Sequence, residues 1–186
     1  MIFNSHSELK DKHALLSPSK YNWLNYDADR LIQYYVNSGA ADRGTKIHAF
    51  AATCITLHER LPKKVRTLNM YVNDAIGFNM EPEKPLYYSK FCFGTPDAIV
   101  LRSNVLRIHD LKTGVTPAHM EQLYIYASLF CLEYKVEPET LKMELRIYQN
   151  DEIVVDKPYS ETIRSVMNTI VQFTDLLNKF EIEGAR

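Results

Sequence analysis

The sequence lacks any closely spaced pair of cysteines. Its three cysteines, Cys54, Cys92 and Cys131, are far apart and odd in number, and no CxxC motif is present. This spacing excludes the usual signatures of a structural zinc site and of an iron–sulfur cluster. We therefore expect buried reduced thiols, which fit a reducing cytoplasm.

The sequence also lacks a long apolar run and an excess of charge of one sign. No stretch approaches the roughly 18 apolar residues of a membrane-spanning helix, and the N-terminus does not read as a secretory signal, so we expect neither. The formal net charge of −1 argues against a bulk electrostatic binder of nucleic acid. It leaves room for a local basic groove that holds phosphates.

What is present is an ordinary globular composition. The 186 residues are 46% apolar and 24% charged, which is enough chain for one domain with a sizeable core. Residues 1–12 are polar and aperiodic, so we interpret them as a flexible tail and residues 13–186 as a single domain. The chain carries no internal repeat, no low-complexity segment and no P-loop.

The first half of the chain has helical character. Ser17-Pro18 has the form of an N-cap followed by proline, which predicts a helix over 18–36 that Asn37-Ser38-Gly39 breaks. Apolar residues at helical spacing predict a second helix over 45–61, ended by the proline that follows it. A third helix is predicted to end at Gly77.

The second half is rich in aromatic and β-branched residues separated by turn residues. It predicts three strands, over 86–93, 96–102 and 104–112, with a hairpin turn at 102–104. The remaining elements are predicted to be a helix over 117–134, a strand over 141–149, and a short extended segment with a final helix within 156–179. Together they predict an α/β fold with a mixed β-sheet flanked by helices.

Two carboxylates and a lysine are candidates for catalysis. Alternate side chains of a strand share a face, so Asp110 and Lys112 project to the same side, and Leu111 to the other. Charges at the end of an apolar face are costly unless they pair or bind something. The hairpin turn brings the strand after Asp97 back beside this one, which could place Asp97 near Asp110.

This trio suits the hydrolysis of a phosphodiester. Two carboxylates can hold a hard cation such as Mg²⁺, which lowers the pKa of a bound water to about 7 in favourable cases. Lys112 can position that water or stabilise developing charge. One cation or two would fit these ligands. The alternative is a surface salt bridge, because D-x-K alone is a weak motif.

The surroundings of the trio strengthen the catalytic interpretation. A turn, Gly94-Thr95-Pro96, precedes Asp97, and Thr113-Gly114 follows Lys112. Gln122 and Tyr126 share a face of the next helix, where they could orient a phosphate or the lysine, or simply pack.

Two histidines could also take part. His48 could ligate a metal or be a satisfied half-buried residue. His119 could contact substrate, whereas His109 has the wrong strand parity to share the face of Asp110.

Near the start, HALLSPSKYNWLN is similar to the opening of small phage and prophage nucleases of the RecB-like type. Four ordered motifs resemble those of RecB-like nucleases of the PD-(D/E)XK superfamily. They are Gly44-Thr45-Lys46-Ile47-His48, Gly94-Thr95-Pro96-Asp97, Asp110-Leu111-Lys112-Thr113-Gly114 and Gln122 to Tyr126. The resemblance covers about residues 13–149. Relatives that bind an iron–sulfur cluster carry four cysteines, which this chain lacks, so we expect no cluster.

The resemblance implies a restriction-endonuclease-like core and a site that binds Mg²⁺ or Mn²⁺. It implies that His48, Asp97, Asp110 and the Leu111 carbonyl ligate the metal, and that Lys112 is the catalytic lysine. It also implies that Gln122 and Tyr126 support the site and the DNA. Thr113 and His119 are further candidates for substrate contact.

The leading hypothesis is a bacterial cytoplasmic, phage- or prophage-encoded DNA exonuclease in recombination, repair or DNA processing. A structure-selective endonuclease or nickase would use the same residues. A catalytically silent DNA-binding or assembly factor is the third hypothesis. DNA ends or single strands are the expected substrates, and a separate helicase, annealing protein or single-strand-binding protein is a possible partner.

Two groups of residues are candidate DNA contacts. The basic cluster Lys63, Lys64 and Arg66 could bind phosphates or be an ordinary solvated charge run. Three aromatic residues could stack on unpaired bases or pack in the core: Tyr21, Trp23 and Tyr26.

Overall fold

The computed structural model describes residues 28–184, without the side chains at 28, 29, 31–43, 181, 183 and 184. The chain divides into two compact units between Thr45 and Lys46, and the following account concerns the second, with the helix that begins in the first. The predicted tail over 1–12, the start of the first predicted helix and the aromatic group Tyr21, Trp23 and Tyr26 lie outside the described residues. The predicted single domain over 13–186 stays a prediction.

Helix α1 (Ala28–Leu57) is continuous, so the predicted break at Asn37-Ser38-Gly39 is wrong. A glycine inside a helix costs only about 1 kcal/mol relative to alanine, and Ala40 and Ala41 follow it directly. The second predicted helix is therefore the C-terminal part of α1.

Helix α1 ends before Pro62, at Leu57, because His58 adopts a left-handed conformation with φ of 57°. The His58 N–H donates to the Ile55 carbonyl and the Glu59 N–H to the Cys54 carbonyl, which is a Schellman cap. Helix α2 (Thr67–Gly77) ends where it was predicted to end.

The strands, in chain order, are β1 (Glu81–Pro82), β2 (Leu86–Ser89), β3 (Cys92–Gly94), β4 (Ala98–Arg102), β5 (Val105–Leu111), β6 (Lys142–Gln149) and β7 (Glu152–Asp156). Five of them form one sheet in the order β1-β4-β5-β6-β7. Strands β5 and β6 are parallel, and the other neighbours are antiparallel. The parallel pair is connected through helix α3 (Glu121–Tyr134), and helix α4 (Ser160–Gly184) follows β7.

The predicted hairpin between β4 and β5 is present. Ser103 and Asn104 have φ of 50° and 60°, and Arg102 pairs with Val105 across them. Two central residues with positive φ form the type I′ turn that matches the twist of the flanking strands. The predicted strand over 141–149 corresponds to β6.

Three other predictions about the elements are wrong. The predicted single strand over 86–93 is a separate hairpin of β2 and β3, with a turn at Lys90 and Phe91. Helix α3 begins four residues later than predicted. The extended segment was predicted to begin at Asp156, but the observed strand, β7, ends at Asp156. It follows a tight turn in which Asn150 and Asp151 have positive φ.

Apolar clusters cover both faces of the sheet. On one face, Leu106 and Ile108 of β5 belong to a cluster that includes Leu123 and Ala127 of α3 and Ile163 of α4. The second cluster draws on α1, α2 and the other face of the sheet, with the members Ala51, Cys54, Ile55, Tyr71, Val72, Ala75, Ile76, Met80, Ala98, Leu111 and Tyr148. The predicted α/β class with a mixed sheet flanked by helices is confirmed.

Two further expectations concern the burial of the thiols and the absence of a membrane-spanning helix. Cys54 and Cys131 are buried free thiols, and Cys92 is a half-buried free thiol. Among the described residues, no helix has the length and apolar character needed to cross a membrane.

Because Leu145 is fully buried in the centre of β6, truncating it should leave a cavity. We expect Leu145→Ala to lower the free energy of unfolding by roughly 2–5 kcal/mol. Leu101→Ala, at a residue that is 45% exposed on β4, is the matched control and should change it by less than about 1 kcal/mol. Urea denaturation followed by circular dichroism measures both, and equal losses would contradict this account of the core.

Candidate active site at the end of the β4–β5 hairpin

The two predicted carboxylates lie side by side at one end of the sheet. Ala98 pairs with His109, so Asp97, which precedes β4, lies at the level of Asp110, the penultimate residue of β5. The Asp97 Oδ2 atom accepts a hydrogen bond of 2.7 Å from the Leu111 N–H. The Asp97 side chain thus binds the backbone of β5 just beyond the last backbone pair of the hairpin. This bond holds its carboxylate against the chain that carries Asp110.

Lys112 is held between a carboxylate and an amide. Its Nζ atom donates to Asp110 Oδ1 at 3.1 Å and to Gln122 Oε1 at 2.8 Å. Gln122 Nε2 lies 3.5 Å from the Tyr126 hydroxyl, which donates to the Thr95 carbonyl at 3.0 Å. The first turns of α3 therefore connect the lysine to the loop that precedes Asp97.

His48 approaches the same site from α1. Its Nδ1 atom lies 3.1 Å from Asp97 Oδ1. The hydrogen bond to Asp97 raises the pKa of His48, although partial burial opposes this effect. A cationic imidazole is thereby favoured beside Asp97 when no other cation is bound.

Asp110 is a buried carboxylate with incomplete compensation. Asp110 is 3% exposed. Burial, and next the charge of Asp97, raise its pKa, whereas Lys112 and His48 oppose this rise. Its Oδ2 atom is buried and accepts no hydrogen bond. The Lys112 ammonium lies 3.0 Å from that oxygen but outside hydrogen-bonding geometry, so we count the contact as an ion pair only.

These side chains match a hard divalent cation in chemical type. Two carboxylates and an imidazole meet at one strand end, and the buried Asp110 Oδ2 atom has no donor. Mg²⁺ prefers oxygen ligands such as carboxylates. However, within residues 28–184 no three histidine, cysteine or carboxylate side chains are already gathered closely enough to hold a metal.

Not all predicted residues join this cluster. Thr113 and His119 are exposed, and neither makes a hydrogen bond to another part of the chain that the structure describes. In the basic cluster, Arg66 pairs with Asp151 at 3.0 Å, whereas Lys63 and Lys64 are exposed.

A buried polar network on the opposite face of the sheet was not predicted. Tyr148 donates its hydroxyl proton to Asp74 Oδ2 at 2.8 Å, so its oxygen accepts from His109 Nδ1 at 3.2 Å. Burial, then the charges of Arg146 and Arg107, lower the pKa of His109 to about 3, and the imidazole is neutral. Strand parity correctly separates His109 from Asp110, but no sequence signal identifies its partners.

Gln149 was also missed as a residue that shapes the site. Its Nε2 atom donates to the carbonyls of Gly114 and Thr116, each at 2.7 Å, and its Oε1 atom accepts from the Ala118 N–H at 3.1 Å. One side chain thus holds the loop that follows Lys112. A glutamine at the end of a strand carries no local signal of this role.

Gly94 is required by the close approach of Tyr126. A Cβ atom at residue 94 would lie 2.9 Å from Tyr126 Cε1, which is closer than real Cβ contacts. The ring of Tyr126 therefore packs against the backbone just before Asp97, and the two motifs G-T-x-D and Q-x-x-x-Y depend on each other sterically.

No family model, no curated protein and no solved structure matches the chain.

Because the Tyr126 ring occupies the space beside Gly94, we expect Gly94→Ala to lower the free energy of unfolding by roughly 1–3 kcal/mol. In a Tyr126→Ala background the same change should cost much less, since the clash is gone. Chemical denaturation of the four proteins of this cycle measures the coupling. Additive losses would show that the two residues do not constrain each other.

Asp110 and Asp151 should affect stability with opposite signs. Burial raises the pKa of Asp110 in the folded protein above the ordinary carboxyl value of 3.8. The free energy of unfolding of the wild-type protein therefore falls as the pH rises from about 3.8 through the raised pKa. Asp110→Asn should therefore increase the free energy of unfolding at pH 7 by roughly 0.5–2 kcal/mol, and the gain should shrink in acid.

Asp151 is the matched control for this charge removal. Hydrogen bonds from the Thr67 N–H and side chain, and from Arg66, lower its pKa, so its contribution is present above 3.8 and is lost as pH falls. Asp151→Asn should lower Tm at pH 7, whereas Asp110→Asn should raise it. Thermal unfolding at pH 7 and pH 3.5 measures both, and a lower Tm for Asp110→Asn would refute the proposed cost.

Proposed function

We propose that the protein is a Mg²⁺- or Mn²⁺-dependent deoxyribonuclease of the RecB-like branch of the PD-(D/E)XK superfamily. The observation that carries the proposal is the cluster of Asp97, Asp110 and Lys112, with His48 bonded to Asp97 and Gln122 bonded to Lys112. His48, Asp110 and Gln122 belong to three different elements, α1, β5 and α3. The hydrogen bond from the Leu111 N–H to Asp97 brings the bonded pair of His48 and Asp97 beside the chain that carries Asp110 and Lys112. A surface salt bridge would require neither the burial of Asp110 nor the converging partners.

The architecture supports the same proposal. A mixed sheet with helices on both faces is what a restriction-endonuclease-like core requires, and the carboxylates stand at the end of its central strand β5. Helix α3, which follows that strand, supplies Gln122 and Tyr126. The four motifs thus lie in different parts of the fold, and all of these parts border one site.

The metal would be held by His48, Asp97, Asp110 and the Leu111 carbonyl. When bound, such a cation supplies Lewis-acid stabilisation of the phosphate and a more acidic water. The Oδ2 atom of buried Asp110 fits that role, because it accepts no hydrogen bond, and a cation would compensate its charge further than the ion pair with Lys112 does.

Lys112 is arranged to act on the phosphate rather than to serve as a metal ligand. Its ammonium carries three protons, of which Asp110 and Gln122 accept two. The third can donate to an attacking water or to a phosphate oxygen on which charge develops. Gln122 acts on the lysine and Tyr126 on the loop before Asp97, so both are positioning residues.

The substrate we propose is DNA with an accessible end or single strand. Lys63 and Lys64 are exposed and would contact phosphates, while Arg66 is engaged with Asp151. An exonuclease in the processing, recombination or repair of phage DNA, in a bacterial cytoplasm, is the function we place first. Unwinding or annealing would fall to a separate helicase, annealing protein or single-strand-binding protein.

Cleavage of one DNA sequence in linear and covalently closed circular forms tests this function. With Mg²⁺ or Mn²⁺, wild-type protein should degrade the end-labelled linear form, and EDTA should stop it. Cutting of the circle would instead assign an endonuclease or nickase. Binding without cleavage of any form would contradict the proposed activity and favour a silent DNA-binding protein.

Single substitutions test the proposed residues. Asp97→Asn and Lys112→Met should each lower kcat on the order of 100- to 1,000-fold, because each removes a charge that acts in the transition state. The controls Asp175→Asn and Lys142→Met make the same chemical changes at exposed residues of α4 and β6 and should retain activity. Undiminished cleavage by a folded Asp97→Asn or Lys112→Met variant would remove this site.

A further inference from the structure

A small cavity adjoins the candidate site on the side of α1 and α2. It has a volume of about 220 Å³ and is lined by Ile47, Leu68 and Leu111, among others, with Lys112 at its border. Ile47 directly precedes His48, and the Leu111 N–H is the donor to Asp97. Lys112, the proposed catalytic lysine, also lines the cavity, so the cavity borders the site that would hold the scissile phosphate.

The chemistry of the walls argues for a neutral ligand with apolar faces. Ile47, Leu68 and Leu111 are apolar, and Lys112, the charged residue of the lining, is already paired with Asp110. A second phosphate is disfavoured, because the Asp151 carboxylate already occupies the N-terminus of α2 by accepting from the Thr67 N–H at 2.8 Å.

Two polar side chains on the cavity wall are free to recognise a ligand. Asn150 and Thr113 line the cavity, and neither side chain makes a hydrogen bond to any other described residue. Asn150 sits in the β6–β7 turn with φ of 51°, and Asp151 after it binds Thr67, so the position of the turn is defined. A carboxamide presents one acceptor and two donors, which suits the edge of a heterocyclic base.

The loop that forms the outer wall is also held in place. Thr113 and Gly114 belong to the loop whose carbonyls Gln149 binds. The cavity, which opens to solvent, is thus bounded by residues of α1 and α2, by the end of β5 and by a loop that is held in place.

We propose that this cavity is a subsite for one unpaired nucleobase next to the scissile phosphate. The inference rests on the proposed nuclease function and specifies its substrate. A volume of about 220 Å³ is below the roughly 300–1,000 Å³ of pockets that enclose a whole drug-sized ligand, so it suits a single ring system. A paired base would first have to leave its stack, which costs a few kcal/mol, so single strands and frayed ends are preferred.

The test is cleavage of single-stranded oligonucleotides that each carry one abasic residue, at every position in turn. The full-length protein is used with Mn²⁺, and kcat/KM is compared with that of the intact oligonucleotide. We expect one position at which loss of the base lowers wild-type kcat/KM about tenfold or more. Duplex DNA should be cleaved more slowly than the same sequence as a single strand.

Two variants link this effect to the cavity. Leu68→Trp fills it, and Asn150→Gly removes the amide while keeping a residue that tolerates positive φ. Both should reduce the difference between intact and abasic substrates to less than about threefold. Leu57→Trp, at an exposed end of α1, and Asn79→Gly, at another positive-φ asparagine, are the matched controls and should keep the full difference.

The outcomes separate the two proposals. Cleavage that is equally fast for intact and abasic substrates at every position would overturn the subsite and leave the nuclease function standing. A base effect that persists in both Leu68→Trp and Asn150→Gly would also overturn the subsite, because the base would be recognised elsewhere. Absence of any EDTA-sensitive cleavage would overturn both. Should Leu68→Trp fail to fold by circular dichroism, Asn150→Gly decides.

Discussion

The hydrogen bond from the Leu111 N–H to the Asp97 carboxylate is the contact on which the rest of the site depends. It is 2.7 Å long and joins the residue before β4 to the last residue of β5. The Asp97 side chain extends the hydrogen-bond ladder between β4 and β5. Its carboxylate therefore lies beside Asp110, and the second carboxylate oxygen is left for His48. This one bond joins the two strands of the hairpin, and through Asp97 it is linked to His48 of helix α1.

Burial of Asp110 opposes its charge, and the fold compensates for this only in part. Lys112 and His48 favour the ionised carboxylate, whereas burial and Asp97 disfavour it more strongly. A protein selected for stability alone would place an uncharged residue there, since a buried charge without full hydrogen bonding is costly. The cost is understandable where the site exists to bind a cation and a phosphate, which is the function we propose.

On the opposite face of β5, the buried polar side chain is neutral and hydrogen-bonded. His109 is neutral and buried, and Tyr148 connects it to Asp74, which Arg146 also binds. The Tyr148 carbonyl accepts from the Lys112 N–H at 2.9 Å. Strand β6 is thus anchored to α2 by one atom of Tyr148 and to the proposed catalytic strand end by another, and its next residue, Gln149, holds the loop beyond.

Local patterns predicted the fold class, several of the elements and the choice of candidate residues. Alternation along β5 and the turn at 102–104 predicted the hairpin, since strand parity and turn chemistry act over a few residues. The same parity predicted that Asp110 and Lys112 share a side and that His109 does not. The glycine at 39 and the proline at 62 misled, because helix α1 runs through the first and is capped at His58 before it reaches the second.

What only the tertiary structure decided is which distant residues meet. Asp151 caps α2 from 84 residues away, Gln149 holds a loop more than 30 residues earlier, and the Tyr126 ring requires Gly94. No periodicity encodes such contacts, because they depend on the order of strands and on the packing of helices over them. The sequence by itself determined the chemical groups of the site, and the fold decided their distances, their burial and the cavity beside them.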